Sequence, residues 1–333
     1  MQVVTAQLIK DKKVLLRYDF DVPLNRKESG AGSITSEWEV EDDYRLKAGL
    51  ETLKLCLENA KQTIIFGHIG RPGGKVVPEL SVAPVAKWLK EACLKRKFPL
   101  GKLTVLENIR FEEGEDACFA ETAMSLASMG DFFVNEAFAA HHEAASTTLL
   151  PTLLPHAAGL HFAKEVEVLT KLRENPDKPL IALIGGAKVE DKYDAIIALS
   201  KLCQAVLVGG LLPSKIRDGN LEVPANVMLG KMSENGIDLA PETIDSFCLL
   251  IKHAKEVIWA GPMGKYEDPE GNKGDLKLAQ AVIQSGANSV IGGGDTIAAL
   301  EFYLDKFKFV SVGGGASLEL LTKGTIPSLA ALG

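Results

Sequence analysis

The chain has 333 residues, of which 46% are hydrophobic and 24% charged, and its formal net charge is −7 at neutral pH. That length holds two domains of ordinary size, and the acidic balance argues against nucleic acid as a partner. No apolar stretch approaches a membrane span and the N-terminus has no secretory h-region. The five cysteines (Cys56, Cys93, Cys118, Cys203, Cys248) are scattered and never in CxxC spacing, which argues against disulfides or zinc and points to a reducing cytoplasm.

Apolar runs alternate with helix-like stretches almost throughout, the pattern of two doubly wound, Rossmann-like parallel-sheet α/β domains. The first half predicts strands at Val14–Tyr18, Thr63–Gly67, Leu103–Leu106 and Phe132–Val134. Leu46, Leu50, Leu53 and Leu57 recur at helical spacing behind Asp42 and Asp43, which predicts a helix over Tyr44–Ala60. Val82–Leu94 predicts a second helix, with Pro84 tolerable in its first turn, and Arg26–Gly32 reads as a mobile loop. Leu153–Glu174 predicts a helix joining the two domains. The second half predicts strands at Leu180–Ile184, Ala205–Val208, Val257–Trp259, Ser289–Ile291 and Phe309–Val312. Helix-like segments Ile297–Leu304 and Leu318–Thr322 follow the last two.

Ligands of open parallel sheets bind beyond the carboxyl ends of the strands, and the chemistry-bearing residues of this chain collect there. In the first half these ends carry Arg17, Asp19 and Asp21, then His68 and Arg71, then Arg110, then His141 and His142, with Arg45 just inside the first helix. Guanidinium groups at the ends of consecutive strands read as a pocket for phosphate and carboxylate. In the second half, Gly185-Gly186-Ala187-Lys188 follows a strand, and Lys188 and Lys192 at i, i+4 would share a helix face, a spacing that an anion between them relieves. Two glycine triplets, Gly292–Gly294 and Gly313–Gly315, each follow a strand and precede a helix. Such turns let backbone N–H groups meet an anion at a helix N-terminus, and Asp295 is placed to hold the Mg²⁺ of a polyphosphate. The chain has neither a Walker sequence nor a GxGxxG fingerprint, so a P-loop NTPase and a nicotinamide dehydrogenase both lack support.

In this order the segments resemble the phosphoglycerate kinase family, nearly end to end. Arg17–Pro23 is similar to the family's Arg-x-Asp-Phe-Asn-Val-Pro, His68–Pro72 to His-Leu-Gly-Arg-Pro, and Glu107–Phe111 to Glu-Asn-x-Arg-Phe. Gly185–Lys192 is similar to Gly-Gly-Ala-Lys-Val-x-Asp-Lys and Trp259–Gly264 to Trp-Asn-Gly-Pro-x-Gly, while both glycine triplets keep their Asp-Thr and Ala-Ser. The resemblance implies reversible phosphoryl transfer between 1,3-bisphosphoglycerate and MgADP, giving 3-phosphoglycerate and MgATP. It implies a 3-phosphoglycerate-binding domain over residues 1–152, a connecting hinge helix over 153–175 and a nucleotide-binding domain over 176–318. A tail over 319–333 would pack back towards the first domain, in a cytoplasmic monomer that binds neither nucleic acid nor membrane.

By the same resemblance the glycerate would be bound by Asp19, Phe20, Asp21, Arg45, His68, Ile69, Gly70, Arg71, Arg110 and His142. The nucleotide would be bound by Gly186, Lys188, Lys192, Gly236, Glu267, Gly293, Gly294, Asp295 and Thr296, with Asp295 on the magnesium. Arg45, Lys188, Lys192, Gly294 and Gly315 would stabilise the phosphoryl group in flight, a task of positioning and electrostatics. The sequence departs from the family at Asp21, where the family has Asn, at His142, where a phosphate-binding Arg belongs, and at Ala260, another Asn. Leu211 interrupts a glycine run, and residues 210–241 form a shorter stretch than the family's. A kinase-derived protein that binds nucleotide with weak or no catalysis is the alternative these departures raise.

Overall fold

A computed structural model describes residues 1–28, 34–190 and 192–333. The chain divides into two compact units, Met1–Val166 with Thr325–Gly333, and Glu167–Gly324. The division falls inside one helix, Leu160–Glu174.

The first unit contains β1 (Lys13–Arg17), β2 (Leu24–Glu28), β3 (Ile34–Val40), β4 (Gln62–Phe66), β5 (Leu103–Val105), β6 (Phe132–Asn135) and β7 (His156–Ala158). Five of these form a parallel sheet in the order β5-β4-β1-β6-β7, and β2 and β3 form a separate antiparallel hairpin. The central strands are buried on both faces, so they read as unbroken apolar runs. In β1, Val14, Leu15 and Leu16 are fully buried, and Leu15 lies between Ile64 of β4 and Phe133 of β6. The predicted helix over Tyr44–Ala60 is two helices, Tyr44–Ala48 and Leu50–Asn59, which meet at Gly49. There a Cβ would strike the Tyr18 ring, so glycine lets the chain pass over the end of β1.

Three elements differ from the sequence reading. Arg26–Glu28, expected in a mobile loop, belong to β2, and the rest of that expected loop lies outside the described residues. Residues 154–159, expected to be helical, are not, and His156–Ala158 among them form β7, which pairs with β6 from Phe133↔His156 to Asn135↔Ala158. The connecting helix starts only at Leu160.

The second unit holds β8 (Leu180–Ile184), β9 (Ala205–Val208), β10 (Val227–Leu229), β11 (Glu256–Ala260), β12 (Asn288–Gly292) and β13 (Phe309–Ser311). They form one parallel sheet in the order β10-β9-β8-β11-β12-β13. All residues of β8 and β11 are buried. Among the described residues no helix is long and apolar enough to cross a membrane.

In each sheet the chain builds outward to one side and then returns to build on the other. The order reverses between β1 and β6 in the first unit and between β8 and β11 in the second. Such switch points leave a crevice beyond the carboxyl ends of the strands.

Candidate active site

At the switch point of the first unit, β1 ends on Arg17 and the chain continues through Tyr18–Asp21. Tyr18 and Phe20 are core residues, their rings 5.9 Å apart, and the Tyr18 hydroxyl donates to the Leu46 carbonyl (2.6 Å). Asp19 alternates with them and is 5% exposed, and both of its carboxylate oxygens lack a well-formed hydrogen bond. Burial raises its pKa while the Arg45 charge opposes the rise. A buried acid without donors is costly unless a ligand supplies them.

Asp21 is held by its neighbours. One carboxylate oxygen accepts from the Gly70 N–H (2.9 Å), and the other lies 3.9 Å from Arg45 and 4.0 Å from His68. Arg45 also donates to the Asp21 carbonyl. The carboxylate that replaces an amide is therefore balanced by a cation rather than left to repel an anionic ligand.

His68 is buried. Burial, followed by the charges of Arg17, Arg110, Arg45 and Arg71, holds its pKa well below the usual imidazole value. A neutral His68 among four guanidinium groups marks a site of strong positive potential. Arg110 follows β5, donates to the Gly70 carbonyl (2.9 Å) and pairs with Asp116 (2.7 Å).

Arg17 anchors the pocket floor. Its Nε donates to Ser146 Oγ (2.7 Å), which donates in turn to Glu115 (2.5 Å); its Nη2 lies 3.4 Å from His68 Nδ1 and 3.7 Å from Glu115. Nη1 is buried and finds no hydrogen-bond partner among the described residues. Glu115 and Ser146 were invisible in the sequence, because an acid in the short helix Glu113–Asp116 reads as a surface residue suited to the helix dipole.

Three residues expected to touch the glycerate also serve the scaffold. The Phe20 ring and the Ile69 side chain are buried among core residues. Gly70, at φ +63°, gives its N–H to Asp21 and its carbonyl to Arg110. Arg71 and His142 are exposed, and the His142 ring lies against His141 with centroids 3.9 Å apart.

At the switch point of the second unit, the turns after β8 and β11 touch backbone to backbone. Gly185 N–H donates to the Ala260 carbonyl (3.1 Å), and a Cβ on Gly261, at φ +97°, would collide with the Gly185 carbonyl. The turns border a cavity of about 440 Å³ lined by Gly186, Gly210, Leu211, Met232, Gly236, Ile237, Lys265, Tyr266, Glu267 and Asp295, among others. Thus Gly186, Gly236, Glu267 and Asp295 come together as expected neighbours, and Leu211, Met232 and Ile237 give the cavity an apolar wall. The Tyr266 hydroxyl lies 3.5 Å from Asp295.

The glycine triplets run from strand end or cap into the first helical turn: Gly292 closes β12, Gly293 and Gly313 are the caps, and the helices Gly294–Ala299 and Gly314–Lys323 start earlier than expected. Their N-termini adjoin, since a Cβ on Gly314 would meet Gly293. First-turn N–H groups have no partner within the helix, so both starts offer donors to an anion.

Two expectations change. Lys188 lies in a turn and Lys192 immediately precedes the helix Tyr193–Leu202, so the pair shares no helix face. Thr296 is buried, and its hydroxyl accepts from the Gly261 N–H (2.7 Å) and donates to the Gly292 carbonyl (2.9 Å). Its side chain joins the turns to one another, which leaves only its backbone for a nucleotide.

Asp275 supports the cavity from below and was not foreseen. Its carboxylate accepts from the N–H groups of Met263 (2.8 Å) and Gly264 (3.2 Å), and burial pushes its pKa up to about 7. A folded-state pKa above the ordinary 3.8 means that its contribution is whole below about pH 4 and is lost as pH rises through 7. Asp275→Asn should therefore gain on the native chain between pH 5 and 8, by at most about 3 kcal/mol. Parallel urea unfolding curves at the two pH values, with an unchanged difference, would contradict this.

These geometries can be set beside known proteins. A sequence model of the family described as "Phosphoglycerate kinase" matches residues 4–220 and 214–324. The chain belongs to the phosphoglycerate kinase family. The phosphoglycerate kinase of Solibacter usitatus is 33% identical over 386 residues, covering 97% of each chain. That of Clostridium perfringens is 32% identical over 394 residues, with 97% of this chain and 96% of the relative covered. The solved phosphoglycerate kinase of Coxiella burnetii superposes with a TM-score of 0.78 at 29% identity, over 97% of this chain and 96% of the other. The enzyme from Pyrococcus horikoshii shares the fold with a TM-score of 0.79 at 24% identity, over the same shares. An alignment of 386 residues against a chain of 333 leaves at least 53 positions of the relative unmatched. The two family matches meet at 214–220, inside the stretch that reads as shortened.

Proposed function

We propose that this chain is a working phosphoglycerate kinase that transfers a phosphoryl group reversibly between 1,3-bisphosphoglycerate and MgADP. One observation carries the reading: each switch-point crevice keeps its own half of the required chemistry. The first has the guanidinium groups of Arg17, Arg45 and Arg110 around neutral His68 and buried Asp19. The second has the glycine turns, two helix N-termini and the carboxylates Asp295 and Glu267.

The glycerate carboxylate and phosphate are assigned to the first pocket, where Asp19 can accept from a substrate hydroxyl and Arg45 faces the transferred group. The nucleotide is assigned to the cavity of the second unit, its base against Leu211, Met232 and Ile237. Lys188, Gly294 and Gly315 are assigned to the phosphoryl oxygens, where oriented donors stabilise charge spread over a metaphosphate-like group. Hard oxygen donors at Asp295 and Glu267 suit Mg²⁺, which takes one or two carboxylates and otherwise phosphate and water. When bound, it would neutralise charge on the β- and γ-phosphates.

The test is coupled turnover with 3-phosphoglycerate and MgATP, run beside calorimetric titration with MgADP. Turnover is the expected result. Tight MgADP binding without turnover would instead favour a nucleotide-binding protein that has lost catalysis.

A further inference from the structure

The helix in which the two units divide, Leu160–Glu174, begins on an unusual cap. Its first three N–H groups are all taken by side chains from distant parts of the chain. Leu160 N–H donates to Thr52 Oγ1 (2.8 Å), and the N–H groups of His161 and Phe162 each donate to the Glu136 carboxylate (3.1 Å). Thr52 in turn donates its hydroxyl proton to Glu136 (2.7 Å). Helix N-termini favour a carboxylate, and the usual cap is a residue within one turn. Here the cap comes from residues 25 or more positions away.

Both capping side chains are fixed. Thr52 is fully buried and Glu136 is 3% exposed. Glu136 directly follows β6, and its own N–H donates to the Arg17 carbonyl (2.9 Å). Its backbone thus belongs to the floor of the anion pocket, one residue after Asn135 and bonded to the residue that anchors that floor. Gly159 leaves the space this needs, because a Cβ there would collide with the Glu136 carboxylate. A second link holds the first helical turn: His161 Nε2 lies 3.1 Å from Glu165.

We infer that Glu136, with Thr52, is a positioning residue for phosphoryl transfer, which fixes the start of the dividing helix to the floor of the glycerate pocket. This rests on the phosphoglycerate kinase reading above. The Glu136 carboxylate is taken up by Thr52 and the start of the helix. Its carboxylate sets the direction in which the helix leaves the pocket floor, and a small misplacement of reacting groups lowers a rate strongly. Residues of this kind lie away from the chemistry, and changing them often moves kcat and KM together without a contact to either substrate being lost.

The experiment compares the native chain with Glu136→Gln, Thr52→Val and Thr52→Ser. The Gln amide places a donor against the Phe162 N–H, and Val removes the hydroxyl that Ser retains. For Gln and Val, kcat should fall about tenfold or more, while the calorimetric Kd for 3-phosphoglycerate alone and for MgADP alone stays within about twofold. Ser should restore native kcat. If the glycerate Kd rises in step with the loss of kcat/KM, Glu136 acts inside the pocket and the inference fails. If only Tm falls and kcat is native, the cap is merely a stabiliser, and the inference fails alone. A native chain without turnover would overturn the kinase reading and this inference together. Should the Gln variant not fold, the Val and Ser pair decides the matter.

Discussion

Asp295→Ala should lower kcat at least about a thousandfold, or roughly 4 kcal/mol in the barrier, while ADP without metal binds nearly as before. Asp295 is exposed in the first turn of the helix Gly294–Ala299 and lines the nucleotide cavity beside Glu267. Among the described residues its hydrogen-bond partner is the Tyr266 hydroxyl, at a long 3.5 Å, which ties it only weakly to the scaffold. Removing it should therefore leave the cavity walls intact, in contrast to Asp275, whose carboxylate holds two backbone N–H groups. The decisive comparison is calorimetric. Native MgADP should bind more tightly than ADP alone, and the variant should lose that difference. If MgADP and ADP weaken equally, Asp295 serves the fold or the nucleotide, and the metal must be held elsewhere.

The sheets and the strand ends were legible because burial on both faces writes itself as an apolar run. β1, β4, β6, β8, β9, β11, β12 and β13 all appear as such runs. β7 and β10 did not: His156–Ala158 is a His-Ala-Ala segment inside a stretch that reads as helix, and only Val227 of Val227–Leu229 is buried. The hairpin β2–β3 was lost for another reason: its first strand reads Leu-Asn-Arg-Lys-Glu, and charged residues suit an exposed ribbon as well as a loop.

The site was legible as an inventory of residue types but not as a division of labour. Arg45, His68 and Arg110 cluster at the strand ends of the first unit, and Glu267 and Asp295 line the cavity of the second. Phe20, Ile69 and the Thr296 hydroxyl lie in the same motifs yet serve packing. A motif constrains both kinds of residue equally, and only burial separates them. Counting i, i+4 from Lys188 to Lys192 assumed a helix that begins one residue later. Glu115, Ser146 and Asp275 could not be assigned a role, because each matters through a partner far along the chain or in a neighbouring turn.

Glu115→Ala should destabilise the first unit by about 3–5 kcal/mol, roughly 10 °C in Tm for a unit of this size. Arg17 and Glu115 are both essentially inaccessible. Burial lowers the Arg17 pKa, and the Glu115 charge is the largest influence that restores it. Without Glu115, a buried guanidinium loses its counter-charge, and the N–H and hydroxyl of Ser146 lose their acceptor. The partner variant separates structure from function. Arg17→Met together with Glu115→Leu replaces the ion pair by apolar side chains of similar size, and a buried pair can often be exchanged this way at little cost. The double variant should recover much of the lost Tm, yet bind 3-phosphoglycerate at least about tenfold more weakly, because Nη1 of Arg17 is the buried donor left over in the pocket. Recovery of both stability and affinity would show that Arg17 only holds the fold. A double variant less stable than Glu115→Ala would show that the pair is worth more than its desolvation cost, and that Ser146 depends on it.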